Sequence, residues 1–271
     1  MYEALFFCLA GVFGYLAGVF ADVAYVRLMA TQEPEYVSPP RCGVCGGAAE
    51  VWAWLVPGRC ARCGGRLPRA PGTMRWAAAA AFAAGALRHP TDSASVVVVG
   101  FFMVGLLLIW AIDDAVRLVP DEVTVAGVGG GLLAVFLFPR LMEEMWPYWA
   151  VGGRVGALLA ALTASAAGAA FIVFVMVVGR FLLRREAMGS GDAFLLAYMG
   201  ALLGPQYLAI AFFIACFLGT ARGLPILLSG KRWVEVAFGP FLAMAGIVMT
   251  LAGRRIAHLL LVEYPRLFLP R

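Results

Sequence analysis

The chain has 271 residues, 63% of them hydrophobic and only 14% charged, with a mean hydropathy of +0.89. A soluble domain carries about 25% charged residues, so this composition excludes an ordinary water-soluble globule and points to a chain that crosses a bilayer repeatedly. The net charge of +5 is accounted for by membrane orientation, and with no interleaved basic and aromatic pattern it gives no reason to expect nucleic acid as a partner.

A membrane span needs about 20 mostly apolar residues. Eight segments come close, near 4–24, 76–88, 95–112, 123–138, 155–179, 193–204, 206–221 and 236–253. The fold class expected is therefore an all-α polytopic membrane protein with about eight transmembrane helices. The second and sixth segments are short. Gly204-Pro205, between the sixth and seventh, reads either as a boundary or as the break in one kinked, re-entrant element. The start Met1-Tyr2-Glu3 lacks the basic n-region of a cleaved secretory signal, so the first span is expected to remain as an anchor. The chain then divides into a first transmembrane helix at 1–26, a loop domain at 27–75, a membrane core at 76–261 and a short tail at 262–271.

The loop domain carries Cys42-Gly43-Val44-Cys45 and Cys60-Ala61-Arg62-Cys63. Two C-x-x-C knuckles joined by a short connector match a tetrahedral Cys₄ zinc site. Each is followed by a glycine pair, Gly46-Gly47 and Gly64-Gly65, which permits a tight turn around the sulfurs. So short a loop has few aliphatic residues for a core, and a bound metal would supply much of its stability. Four thiolates leave no open coordination position, which makes the zinc structural. Two disulfides are the competing reading, but they require an oxidising compartment, and the basic content of the loop argues against one. Cys8 and Cys216 fall inside apolar spans and read as small buried hydrophobes.

Orientation follows from the placement of Lys and Arg. With 25–75 on the cytoplasmic side, 14 of the 21 basic residues face the cytoplasm and the N-terminus lies outside. The end of the third span and the start of the sixth then lie at the same leaflet, because an even number of crossings separates them. Those two ends carry Asp113, after VVVVGFFMVGLLLIWAI, and Asp192, after Gly189-Ser190-Gly191. A carboxylate at a membrane span is costly and is read by default as part of a site. Two that share a proton can divide the roles of acid and base, and Gly189 and Gly191 would let a substrate backbone approach Asp192. Each aspartate also has a simpler reading, Asp192 as the cap of the sixth span and Asp113 as an interfacial residue ending the third.

Other candidates carry less. Asp114 turns away from Asp113 and is expected in solvent. Asp121, after Pro120, fits the N-cap of the fourth span. His89 in the Arg88-His89-Pro90 loop and His258 near the C-terminus have no ligand or nucleophile partner in sequence. Gly129-Gly130-Gly131 reads as a close helix-packing surface and not as a phosphate loop.

Four ordered motifs resemble the type IV prepilin peptidase family, bifunctional leader peptidases and N-methyltransferases, over nearly the whole chain. Gly18 to Leu28 is similar to its first-span pattern G-S-F-L-N-V-V-I-x-R-L, with Asp22 in place of Asn. Arg41-Cys42 through Cys63 resembles its zinc loop. Ile112-Asp113 followed by Val119-Pro120-Asp121 resembles its I-D and L-P-D pair at the same spacing. Gly189-Ser190-Gly191-Asp192 is similar to the G-x-G-D motif of membrane-embedded aspartic proteases.

The resemblance implies that Asp113 and Asp192 form the catalytic pair, with Gly189, Gly191 and Asp121 in support, and that Cys42, Cys45, Cys60 and Cys63 bind zinc on the cytoplasmic side of the bacterial inner membrane. It implies cleavage of a short basic leader from prepilins or pseudopilins, after a glycine at the cytoplasmic border of the substrate's apolar helix. S-adenosylmethionine as donor for methylation of the new N-terminus is likewise implied by the resemblance alone. Two departures bear on it: Phe194 stands where the family has Lys, and Arg69 to Arg75 lacks the acid of the family's Y-P-x-V-E stretch. Both weigh on methylation more than on proteolysis. A carboxylate-coupled ion transporter and a non-enzymatic secretion-system assembly factor are the readings from other classes. No internal repeat of the kind common in transporters is evident.

Overall fold

The computed structural model describes residues 2–30, 42, 44–47, 60, 62–65, 72–90, 92–139, 153–184, 188–229 and 237–264. The expected Arg69 to Pro71 departure and the tail beyond Tyr264 lie outside the described residues. Among the described residues seven α-helices follow one another: α1 (Tyr2–Ala30), α2 (Thr73–Arg88), α3 (Ser93–Val116), α4 (Asp121–Leu137), α5 (Gly153–Leu183), α6 (Ser190–Leu228) and α7 (Gly239–His258). A π-helical turn at Leu259–Glu263 follows α7. The class is all-α, as the composition required. Five stretches among the described residues, in α1, α3, α5, α6 and from α7 into the π turn, are long and apolar enough to cross a membrane. The helices α2 and α4, with 16 and 17 residues, are shorter.

In lipid every backbone polar group must be satisfied within its own segment, which is why continuous helices dominate such a sequence. The ends are set by local chemistry. Asp92 caps α3, its carboxylate accepting from the Ala94 N–H at 3.1 Å. At the other end Arg117 adopts a left-handed conformation (φ 57°) and its N–H bonds the Asp113 carbonyl. Pro120 precedes α4 and Pro240 opens α7, both at positions where a missing N–H costs nothing.

The break in α6 reverses the chain. Gly204 takes φ 69° and ψ 176° and is followed by Pro205, whose missing N–H cannot continue the helix. Along α7, Phe238 and Phe241 meet Gly219, Gly246 meets Met199, and Gly253 meets Tyr207. The first limb of α6 therefore climbs alongside α7, and the second descends to the same end from which the first started.

The core runs through α3, α6 and α7, where Met103, Leu106, Ile109, Leu195, Met199, Leu202, Leu242 and Met249 are fully buried. The other face of α3 joins a second cluster with α1 and α2 around Phe82, Met74, Ala78 and Val96. Tyr198 links the layers. Its ring packs on Phe102 at 4.9 Å, and its hydroxyl donates to the Phe102 carbonyl at 3.0 Å.

Two sequence expectations change. Of the Gly129-Gly130-Gly131 run, only Gly131 packs closely, against Ala201; Gly129 and Gly130 meet nothing, and Gly127 supplies the second close approach, to Tyr198. Cys8 is exposed and Cys216 half-buried, not core residues. In a bilayer an apolar helix face turned outwards is stable, so an apolar run does not identify its buried side.

Candidate active site and metal centre

The C-terminal turn of α3 and the N-terminal turns of α4, α6 and α7 meet at one end of the bundle. Asp113 closes α3 and Asp192 lies in the first turn of α6; they are 5% and 7% exposed. The two carboxylates are near enough for Asp192 to feel the charge of Asp113. The structure thus brings together the two acids that topology had placed at one leaflet.

Each carboxylate is held by backbone. The Gly239 N–H donates to Asp113, from the first residue of α7. The Gly189 N–H donates to Asp192, while the Asp192 N–H bonds the Gly189 carbonyl at 3.2 Å. Asp192 therefore reaches back over its helix start in the manner of a capping-box acid, and the positive end of the helix favours its charge. Asp192 is thus the third residue of α6 and not its cap residue, and it bonds the backbone at the helix start while lying near Asp113.

Val119 packs the floor between the acids. A Cβ on Gly191 would lie 2.7 Å from Val119 Cβ, and one on Gly239 would lie 3.5 Å from Val119 Cγ2. Gly191 is therefore committed to close packing; of the two glycines Gly189 is the exposed one, and a Cβ there would lie 3.7 Å from Asp192 Oδ2. Asp114 is exposed, as expected from its turn away from Asp113. Asp121 is not the N-cap of α4: Pro120 holds that position, and Asp121 is the exposed first helical residue. Its carbonyl accepts from the buried Thr124 hydroxyl at 3.0 Å. His89 is buried at the end of α2 and sits near the charge of Asp92, so it is part of the packing and not a solvated loop residue. His258 pairs with Glu263 at 3.3 Å on the surface.

A third buried acid, besides Asp113 and Asp192, was not singled out as a charge in sequence. Asp22, on α1, is fully buried and its Oδ2 accepts from Arg75 Nε at 2.6 Å, while its Oδ1 has no partner. The i to j separation of 53 residues hides this pair from any local pattern. Gly239 escaped for the same reason: Phe238-Gly239-Pro240 signals a helix start and says nothing about Asp113.

The four cysteines converge. Their Sγ atoms all lie within 4.8 Å of one another, with Cys42–Cys63 and Cys45–Cys60 each at 3.6 Å. A disulfide needs about 2.05 Å, whereas four sulfurs around zinc at about 2.3 Å are spaced by about 3.7 Å. The two knuckles repeat one geometry. Cys42 N–H bonds Gly47 O at 2.9 Å and Cys60 N–H bonds Gly65 O at 2.8 Å, with Gly46 and Gly64 at φ 65° and 68°. Backbone N–H groups of Cys63 and Arg62 draw the Cys60 thiol down to about 6, and those of Val44 and Cys45 lower Cys42. Donors arranged to stabilise thiolate are what a zinc knuckle requires. The donor set fits structural zinc.

Residues 100–224, which contain both Asp113 and Asp192, match the Type IV leader peptidase family. A prepilin leader peptidase/N-methyltransferase of Burkholderia pseudomallei (strain 1026b) is 30% identical over 78% of this chain and 66% of its own length. Proteins of the same description from Pseudomonas putida and Dichelobacter nodosus are 26% and 28% identical. They cover 94% and 92% of this chain, and the same shares of their own lengths. This chain thus spans just under two thirds of the Burkholderia relative and nearly all of the other two. No solved structure matches.

Proposed function

The chain belongs to the type IV leader peptidase family, and on that premise we propose that it is a membrane-embedded aspartic endopeptidase for prepilin-type substrates. The observation that carries this reading is the pair of buried acids, Asp113 and Asp192, at one end of the helix bundle. Two carboxylates held close and away from bulk water share a proton. The ionised one takes a proton from water as the water oxygen bonds to the scissile carbonyl carbon. The protonated one donates to the carbonyl oxygen. Collapse of the tetrahedral intermediate breaks the C–N bond, and a proton passes to the leaving amine.

The N–H groups of Gly239 and Gly189 orient the acids and fix which oxygens face the substrate. The exposed backbone at Gly189 offers the approach to Asp192, and Asp121 helps to set the α3–α4 turn. The site lies at the cytoplasmic face of the bacterial inner membrane, on the side of the Cys42, Cys45, Cys60 and Cys63 loop. Zinc there would be held by four thiolates and would supply structure to that loop, not a reaction step.

The relatives' description also carries an N-methyltransferase activity. Methylation of the new N-terminal amine, with S-adenosylmethionine as donor, is proposed on that description alone. No set of described residues is assigned to the donor, and no step is derived through it. The test is incubation of the purified protein in vesicles with a prepilin-type substrate, followed by mass measurement. Loss of the leader mass supports the peptidase, and a further gain of one methyl supports the second activity. An intact substrate contradicts both.

A further inference from the structure

The two cysteine knuckles cross over one another. Val44 and Arg62 hold the same place in Cys42-Gly43-Val44-Cys45 and Cys60-Ala61-Arg62-Cys63, and each reaches to the second glycine after the other knuckle. A Cβ on Gly65 would lie 3.1 Å from Val44 Cγ2 and 3.1 Å from Cys63 Sγ. One on Gly47 would lie 3.2 Å from Arg62 Cδ and 3.3 Å from Cys45 Sγ. Gly46 and Gly64 make the turns at positive φ, whereas Gly47 and Gly65 do not. What this second pair supplies is room for a side chain from the opposite knuckle.

The arrangement is matched in shape and unequal in charge. Cys42 and Cys60 are buried, and Cys45 and Cys63 are exposed. The outer sulfur of Cys63 has the apolar Val44 beside it. The outer sulfur of Cys45 has a cation: Arg62 Nη1 lies 3.7 Å from the same point above Gly47. Four thiolates around a divalent zinc leave a net negative charge on the centre, and a cation beside one sulfur stabilises that charge.

We propose that Arg62 is a charge-compensating residue of the metal centre, whose guanidinium keeps the Cys45 thiolate on the zinc. The inference rests on the zinc reading of the four cysteines and has no part in peptide cleavage. The guanidinium nitrogen and the Cys45 sulfur both lie within 4 Å of one point, inside the Debye length of about 8 Å at physiological salt. At about 1 M salt that length falls to about 3 Å, and the attraction is screened. Removing an outer partner of a metal ligand lowers metal affinity roughly 10- to 100-fold; an exposed partner such as Arg62 belongs at the lower end. Packing of the arginine stem on Gly47 is the competing role, and the test separates the two.

The full-length protein is purified with its metal and competed against EDTA, and the zinc retained per chain is measured at about 0.1 M and about 1 M salt. Arg62→Met keeps a stem over Gly47 and removes the charge. It should weaken zinc binding roughly tenfold at the lower salt and approach wild type at the higher. Arg62→Lys should stay within about twofold of wild type, as should Val44→Met, the matched change on the neutral side. Equal weakening by Arg62→Met and Arg62→Lys, a deficit undiminished at high salt, or no deficit at all overturns the proposal. Wild type that binds no zinc overturns the metal centre itself, and the role of Arg62 with it. Wild type and Arg62→Met that hold zinc equally well leave the centre standing and remove only that role.

Discussion

Gly239 lies so close beneath the Asp113 carboxylate that a Cβ there would stand 3.1 Å from Asp113 Cγ, with an oxygen nearer still. The N–H that orients the acid and the missing side chain that admits it belong to one residue. Gly239→Ala must push Asp113 or the start of α7 aside. It should reduce cleavage at least tenfold while the protein remains folded in the membrane. Steady-state kinetics beside a thermal unfolding curve checks this; unaltered kcat/KM would remove Gly239 from the site.

Asp22 and Arg75 tie α1 to α2 at the same end of the bundle. A buried charge left without its partner costs about 3–5 kcal/mol, whereas removal of both charges is often nearly neutral. Arg75→Met should therefore destabilise strongly, towards the lower bound because the arginine side chain is 22% exposed. Asp22→Leu added to it should restore most of the loss. Unfolding of the single and double variants in detergent measures the difference, and equal destabilisation by both would rule out the pairing as the cause.

Zinc removal should act locally. Purified protein should carry about one zinc per chain, lost with Cys42→Ser or Cys60→Ser. Chelation should expose the cysteine loop to protease while helix content, measured by circular dichroism, stays unchanged. Metal content near zero in freshly purified protein would contradict the assignment.

Asp92 gives a pH dependence with a definite sign. The Ser95 hydroxyl bonds its carboxylate and holds it below the usual carboxylate range, with the Ser95 and Ala94 N–H groups adding to the effect. A carboxyl depressed in the folded state contributes stability above its unfolded value, and that contribution is lost as pH falls through the folded value. Asp92→Ala should cost about 1 kcal/mol at neutral pH. The gap to wild type should narrow as the pH falls through the lowered folded value of Asp92, as read from paired melting curves; a gap that persists in acid would assign the effect to packing.

Much of this was legible in the chain because the signals were local or topological. The C-x-x-C knuckles with their trailing glycines foretold the convergence of the four cysteines and a tight turn after each pair, which Gly46 and Gly64 make at positive φ. Counting crossings placed Asp113 with Asp192. The Gly204-Pro205 break read as ambiguous, and contacts along α7 resolve it as a reversal. What stayed hidden was long-range or set by the solvent. Neither Gly239 against Asp113 nor Arg75 against Asp22 leaves a periodic mark. Cys8 faces outwards and Cys216 is only half-buried, because lipid accepts apolar side chains that water would drive inside.

The most direct measurement replaces each acid by its isosteric amide. Asp113→Asn and Asp192→Asn keep volume and much of the hydrogen bonding, and each removes one member of the shared-proton pair. With wild type cleaving a prepilin-type substrate in vesicles, a two-carboxylate mechanism predicts that each variant alone abolishes leader removal while remaining folded in the membrane. Cleavage at the wild-type rate by either variant would contradict it.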